Sequence, residues 1–524
     1  MNLRIRCQRI FTFFHHTPNG TVRAAASATG MSKSAAHRHK QAIARRNQYP
    51  ESWMWETEEG RHWLGLLVCA TIYVFGIRGG VGVEMMAEFF LYLHVSSHLG
   101  VSASSLSRIT AQIEETILAY PAQHPRRGTA PIAVVLGADE VFFDSVLLVM
   151  MEMCSGYLFL ETRAEDRTFL TWQAQARQAL AQVDVTIKYL VSDQAKALIK
   201  LALEGLHCAK IPDLFHALHE VVKLFGGRFA RKIATLQRQI TKGQVAFDTL
   251  RHRGVSPEHV ARQEQHLHEL RVAHTTWLQG QDRYYEALHA LSLSMHPFAV
   301  AHHRPQTTAE VATAMTVTLT TLHTLAETYE IADSKHRLKK VQKQVPDIAA
   351  LVDVWWLWVT ESLAVYTALP PDLDAWLREV LLPSVYWKIQ QRRTTSGPLQ
   401  QAYARAARQA HDRFDAHPLT RVLAPKELTR WRSWATWMAM KFQRTSSAVE
   451  GRNGMLARMN HTQRSIPTRR LQVATVIHNF GIHREDGTTA AERLFGESFP
   501  DLFDWIVEHV RELPPPRCRM AAAS

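Results

Sequence analysis

One aspartate lies within a run of strand-forming residues and a second stands where another such run ends, and both could serve a cation. Asp139 lies in Leu136-Gly-Ala-Asp-Glu-Val-Phe-Phe143, among residues that favour a sheet interior. A carboxylate there carries a heavy desolvation penalty unless it is paired or metal-bound. Asp193 follows Val185-Thr-Ile-Lys-Tyr-Leu-Val-Ser192, at the carboxyl edge where open sheets place ligands. If the strands carrying them are parallel neighbours, the two acids converge and repel. A divalent cation relieves that repulsion, and Mg²⁺ favours a few carboxylates with its other positions left to water and phosphate. Each residue alone has a plainer role: Asp139 as a strand-edge residue with Glu140 in solvent, Asp193 as a helix cap. Together, in the strand order that follows, they favour a metal site.

The elements that must position them fall in residues 126–225. Ile132–Phe143, Val146–Met153 and Tyr157–Thr162 read as three strands in a hairpin meander. Asp166 precedes a helix over about Thr168–Gln182, and Val185–Ser192 is a fourth strand that runs into a helix through Leu203. The order β-β-β-α-β-α predicts a mixed α/β sheet with strand four beside strand one.

Residues 1–125 read as helical, with two helix-turn-helix candidates. The stronger is Val95–Ile109, where Gly100 is expected at positive φ and Ser102 caps a helix offering Ser104, Ser105, Ser107 and Arg108 to DNA. The weaker is Val22–Lys40, with turn Gly30, cap Ser32 and a basic run of Arg38, His39, Lys40, Arg45 and Arg46, over core positions that are mostly Ala. A plain helical hairpin is the alternative for both. Residues 226–436 show no convincing strand, and Ile233, Leu236 and Ile240 recur at helical spacing. They read as an all-α insertion with Gly226-Gly227 and the stretch before Trp437 as its hinges, and His252–Pro257 as a turn between long helices. Trp355, Trp356 and Trp358 are expected in its core. A last helical segment, 437–524, contains the capping box Thr489-Ala-Ala-Glu492.

At 524 residues the chain exceeds what one hydrophobic core normally organises. Lys and Arg number 61 against 48 Asp and Glu, a formal charge of +13 that points to a polyanion such as nucleic acid, although a merely basic protein would show the same excess. Apolar residues at 46% and charged residues at 21% exclude a mainly disordered chain. Cys7, Cys69, Cys154, Cys208 and Cys518 lie far apart with no CxxC pair, which excludes a zinc ribbon and a disulfide scaffold and fits a reducing cytoplasm. The run Trp63–Ile77 is shorter than the ~20 residues a bilayer requires and reads as a buried helix, not a membrane anchor. Met1–Phe14 lacks a continuous apolar segment, so no secretory signal is expected.

Four segments together resemble the DDE transposases of bacterial insertion sequences: Gly137-Ala-Asp-Glu-Val, Leu190-Val-Ser-Asp-Gln-Ala-Lys-Ala-Leu, Ile211-Pro-Asp-Leu-Phe-His-Ala-Leu-His-Glu and Ser446-Ser-Ala-Val-Glu-Gly-Arg-Asn-Gly454. The resemblance implies an RNase H-like core and a catalytic, metal-binding triad of Asp139, Asp193 and Glu450, with a large helical insertion before the Glu. It implies two Mg²⁺ ions, with Mn²⁺ able to substitute, acting in cleavage and strand transfer of double-stranded DNA at terminal inverted repeats and target. A homodimer or higher assembly on DNA, in the bacterial cytoplasm at the nucleoid, goes with that reading. Some relatives carry Tyr, Arg and Lys around the Glu; here Gln443, Ser446 and Ala457 stand nearest, with Arg444 and Arg458 the closest cations. Gly451 and Asn453 leave room beside Glu450 for a phosphate, and Arg452, Arg458, Arg464, Arg469 and Arg470 are candidate DNA contacts. His216, in His216-Ala-Leu-His219-Glu220, lacks the partners of a zinc site, and the resemblance makes it a neighbour of the active site. The alternatives are a catalytically inactive, transposase-derived DNA-binding protein, which retention of all three carboxylates opposes, and another RNase H-like nuclease, which the long insertion fits less well.

Overall fold

The computed structural model describes residues 3–366, 369–463, 465–510 and 513–514. The chain opens with α1 (Leu3–His16), α2 (Val22–Thr29), α3 (Lys33–Arg46), α4 (Glu58–Thr71, continued by a π-helical turn to Arg78), α5 (Val83–Tyr92) and α6 (Ala103–Gln123). Strands β1 (Ile132–Phe142), β2 (Val146–Glu152) and β3 (Leu158–Ala164) follow, then α7 (Phe169–Leu180), β4 (Val185–Ser192), α8 (Lys196–Lys200) and β5 (Ala209–Pro212). A long helical stretch contains α9 (Leu214–His252), α10 (Pro257–Ser294), α11 (Thr308–Thr328), α12 (Ser334–Ala364), α13 (Pro371–Trp376), α14 (Leu382–Arg393), α15 (Gly397–Ala416), α16 (Pro418–Val422) and α17 (Pro425–Met440). It ends in α18 (Ser447–Gln463), α19 (Thr468–Phe480), α20 (Ala490–Phe495) and α21 (Leu502–His509).

By internal contacts the chain forms two units. One comprises Met1–Thr129, Glu161–Arg163 and Gly454–Ser524; the other comprises Ala130–Leu160 and Ala164–Asn453. The second contains most of the sheet, whose order among the described residues is β3-β2-β1-β4-β5. β1 runs antiparallel to β2 and parallel to β4, and β4 runs parallel to β5. The mixed sheet expected from the β-β-β-α-β-α pattern is therefore present, with one strand more than the pattern showed. β5 escapes a periodicity search because it has four residues and ends on Pro212, which donates no ladder hydrogen bond. Val134–Ala138 of β1 and all of β2 are buried, as expected of strands covered on both faces.

Gly226 and Gly227 do not act as a hinge: both lie inside the 39-residue helix α9. Isolated glycines weaken a helix by about 1 kcal/mol each. Here packing overrides propensity, because Phe225 and Phe229 stack on Tyr284 of α10, at centroid distances of 5.2 and 5.9 Å. The turn to α10 falls at Gly254 (φ +62) and Pro257 opens the next helix, as the sequence indicates. Trp355 and Trp358 are buried on α12.

In the first unit, α1–α3 enclose a small core of Ile10, Phe11, Ala25, Ala26, Ala36 and Ile43. The turn between α2 and α3 has the expected features: Gly30 is left-handed at φ +69, and the Ser32 hydroxyl accepts from Ala35 N–H at 3.2 Å. The segment that looked stronger, Val95–Ile109, differs. Ser102 caps α6 as expected, but its first half is a single 3-10 turn, Val95–Ser97. Among the described residues Gly100 is not one of the glycines with positive φ, and the left-handed position falls on His94 (φ 56). The apolar run near Trp63 is only partly buried: Leu64, Val68, Ile72 and Ile77 are inside, whereas Trp63 and Phe75 are half exposed. Among the described residues one helical stretch, Glu58–Arg78, is long and apolar enough to cross a membrane, and half of its most apolar window is buried. The Thr489–Glu492 capping box forms as read.

Candidate active site at the carboxyl edge of the sheet

Parallel pairing sets Ala138 beside Ser192 and Ser192 beside Pro212. Asp139, Asp193 and Asp213, each one residue further on, therefore follow in a row where β4 and β5 end, while β1 continues past Asp139 to Phe142. The first two were expected there from the sequence. Asp213 was not, because it follows the strand that periodicity missed.

Asp139 lies on a central strand, partly buried, so it is not a strand-edge residue. Its neighbour Glu140 is not in solvent either: its side chain is 5% exposed and accepts from Trp172 Nε1 (3.1 Å) and Arg167 Nη1 (3.0 Å). Two residues before Asp139, on the same strand face, Gly137 lets α18 approach. A Cβ at Gly137 would stand 2.8 Å from Val449 Cγ2 and 2.3 Å from Met153 Sδ. That close approach places Asn453, one turn beyond Glu450, where its Nδ2 donates to Asp139 Oδ2 at 2.7 Å. The other carboxylate oxygen accepts from Glu140 N–H at 2.8 Å.

The Asp139 carboxyl is pushed up to about 6. Burial is the largest cause, and the negative charges of Glu450 and Asp193 add to it; the Glu140 N–H bond and His216 act in the opposite sense. The two Asp residues and Glu450 are thus electrostatic neighbours. Asp193 Oδ1 accepts from Ala195 N–H at 2.9 Å, a local turn that leaves α8 without a side-chain cap. Glu450 Oε1 is 3.4 Å from His216 Nε2, so the histidine that the resemblance placed near the site touches its third carboxylate.

A cleft of about 600 Å³ opens beside this edge, and its lining includes the acidic Glu140, Asp193 and Asp213, His216, and the basic Arg167, Lys196 and Lys340. Lys196 and Lys340 are exposed and offer cations for a phosphate chain. Neither was singled out from the sequence, although Lys196 sits in the Ser-Asp-Gln-Ala-Lys string.

The expected ligand set is all oxygen, with Asn453 Oδ1 buried and without a partner among the described residues beside Asp139, and it suits Mg²⁺ in donor chemistry. Among the described residues no three His, Cys, Asp or Glu side chains converge closely enough to hold an ion as they stand. Asp139 is engaged by Asn453 and Glu450 by His216.

The candidate DNA contacts divide by their partners. Arg38, Arg45, Ser104, Ser107, Arg108 and Arg458 are exposed. Arg46 is not offered to a ligand: its guanidinium pairs with buried Glu56, which also accepts from Asn47 Nδ2 at 2.8 Å. Ser105 is buried and takes a 3.0 Å hydrogen bond from Ser102 Oγ, because it lies on the inward face of α6. Arg452 is buried as well. Arg469 and Arg470 both pair with Glu114, at 3.2 and 2.9 Å, and so tie α19 to α6. Arg464 lies outside the described residues.

Residues 377–522 match a family of unknown function (DUF6399). That segment runs from the π turn after α13 beyond α21, and includes Glu450, Asn453 and Ser446. No curated protein matches the chain.

Proposed function

We propose that this chain is a metal-dependent transposase of an insertion sequence, built on an RNase H-like core. The observation that carries the reading is the placement of Asp139 on β1 beside the carboxyl end of the parallel strand β4, where Asp193 follows, with α18 turned back on them so that Asn453 bonds Asp139 and Glu450 adds to the rise in its pKa. Burial raises the Asp139 pKa most and the negative charges of Glu450 and Asp193 add to it, so a cation among these carboxylates would relieve part of that cost.

Asp139, Asp193 and Glu450 would hold two Mg²⁺, or Mn²⁺ in their place, which when bound activate a water or 3′-hydroxyl and stabilise the leaving oxygen. The chain's own residues supply the rest. Lys196 and Lys340 hold phosphates at the cleft rim, and Asn453 and His216 release Asp139 and Glu450 as the site closes. The exposed cations Arg38 and Arg45 on α3, with Arg108 on α6, bind duplex DNA at the element's terminal inverted repeats. The protein would act as a homodimer or higher assembly on paired DNA ends in the bacterial cytoplasm.

The test is nicking of duplex DNA that carries the sequences flanking the coding region, with Mg²⁺ or Mn²⁺ and with neither. Cleavage lost in Asp139→Asn with retained DNA binding supports the reading. DNA binding without cleavage by the wild type in either metal would favour a non-catalytic, transposase-derived DNA-binding protein instead.

A further inference from the structure

Asp213 has a side chain with no solvent exposure, and both of its oxygens are spent on helix starts. Oδ1 accepts from Phe215 N–H at 2.7 Å, in the first turn of α9. Oδ2 accepts from Ser446 N–H at 3.1 Å and from the Ser446 hydroxyl. Ser446 is buried, and its carbonyl takes the first α-helical hydrogen bond of α18, from Glu450 N–H at 3.0 Å. Two helix starts far apart in sequence therefore share one carboxylate. Their opening turns carry His216 and Glu450, which meet at 3.4 Å.

We propose that Asp213 is a positioning residue that sets where Glu450 stands, by capping α9 and α18 with the two oxygens of one carboxylate. A buried carboxylate is tolerated there because it faces unpaired N–H groups at two helix N-termini, whose dipoles favour negative charge. A backbone bond from Leu214 N–H to Arg444 carbonyl, 3.0 Å, runs beside the clamp. The Arg444 guanidinium is anchored in turn by the carbonyls of Ser292 and Met295, both at 3.2 Å, and by Gln390 Oε1 at 3.4 Å. The segment that brings α18 back to the sheet is thus held from the helical insertion on one side and by Asp213 on the other. Both Asp213 oxygens are taken by N–H and O–H donors, so the residue acts through Glu450 and not on a substrate. The catalytic part of the inference rests on the proposed function; the clamp itself does not.

The experiment uses the full chain with Asp213→Asn, Ser446→Ala, the double variant and Ser446→Thr. Amide hydrogen exchange, Mn²⁺ affinity by calorimetry, and kcat and KM for DNA nicking are measured on each. An Asn cannot accept from both helix starts, since its NH₂ must face one of the N–H donors. Exchange should accelerate at the first-turn amides of α9 and α18, residues 215–217 and 447–450, and not across the sheet. Mn²⁺ affinity and kcat should each fall by about 10–100-fold with KM for DNA unchanged, as for other groups that orient metal ligands. Ser446→Thr, which keeps the hydroxyl, should retain both, and the double variant should be no worse than Asp213→Asn. Wild-type exchange and Mn²⁺ affinity in Asp213→Asn would overturn the proposal, as would additive losses in the double variant. If the wild type nicks no DNA in any metal, the functional reading fails while the exchange data still decide the clamp.

Discussion

Replacing Asp139 by Asn should stabilise the metal-free protein, and the gain should depend on pH. The carboxyl rises from an ordinary 3.8 to about 6 in the folded chain, mainly through burial and then through Glu450 and Asp193. A raised carboxyl pKa means that the folded state prefers the proton. The favourable contribution is therefore complete below pH 4 and is lost as pH rises through about 6. Above that, the buried charge costs about 3 kcal/mol, which the amide removes while keeping the shape. The hydrogen bonds survive the change. The new side-chain carbonyl still accepts from Glu140 N–H, and the new NH₂ can donate to Asn453 Oδ1, buried without a partner among the described residues, once the Asn453 amide turns over. A net gain of about 2–3 kcal/mol corresponds to a melting temperature higher by about 2–3 °C for a chain of this length. Scanning calorimetry in EDTA at pH 8 and pH 4 tests this: the Asp139→Asn protein should melt higher at pH 8 and nearly with the wild type at pH 4. Saturating Mg²⁺ should raise the wild type and not the variant, by about 2.7 kcal/mol at a hundredfold excess over Kd. A variant less stable at pH 8, or a difference that does not change with pH, would show that Asp139 is not held charged against its neighbours.

Gly137→Ala sets a Cβ against Val449 and Met153, and the rigid Val449 must move. The loss should be about 1–3 kcal/mol in urea unfolding, with reduced DNA nicking because Val449 precedes Glu450. Arg38→Ala and Arg45→Ala should each flatten the slope of log affinity for duplex DNA against log salt by about 0.9, whereas Arg46→Met should leave that slope alone and lower the melting temperature, since Arg46 pairs with Glu56. Glu450→Gln should abolish nicking as fully as Asp139→Asn and leave DNA affinity unchanged; residual metal-dependent nicking would place the third ligand elsewhere.

Legibility followed the range of the interactions. Asp139 and Asp193 stand out because apolar strand residues flank them, and the β-β-β-α-β pattern makes their strands neighbours. Caps were equally readable: Ser32, Ser102 and Thr489 bond within three residues, so their geometry is local. Residue type was legible on the basic helices, but use was not. Arg45 and Arg46 are adjacent and chemically identical, yet one faces solvent and the other meets Glu56, a partner supplied by a separate segment.

The pairing of β1 with β4 and the identity of two carboxylates beside it were determined by the sequence itself, because strand period and hydrophobic burial are properties of a few consecutive residues. Tertiary structure alone decided the rest. Gly226-Gly227 became helix interior because aromatic stacking with α10 outweighs glycine's intrinsic cost. Asp213 became the shared cap of two helices because a four-residue strand with no periodicity of its own carries it to the sheet edge. Asn453 reaches Asp139, and Glu450 comes within electrostatic range of it, because Gly137 leaves space for Val449 and because Arg444 and Asp213 hold the returning chain. Those contacts join residues hundreds of positions apart, and only the packed helices between them set the distance.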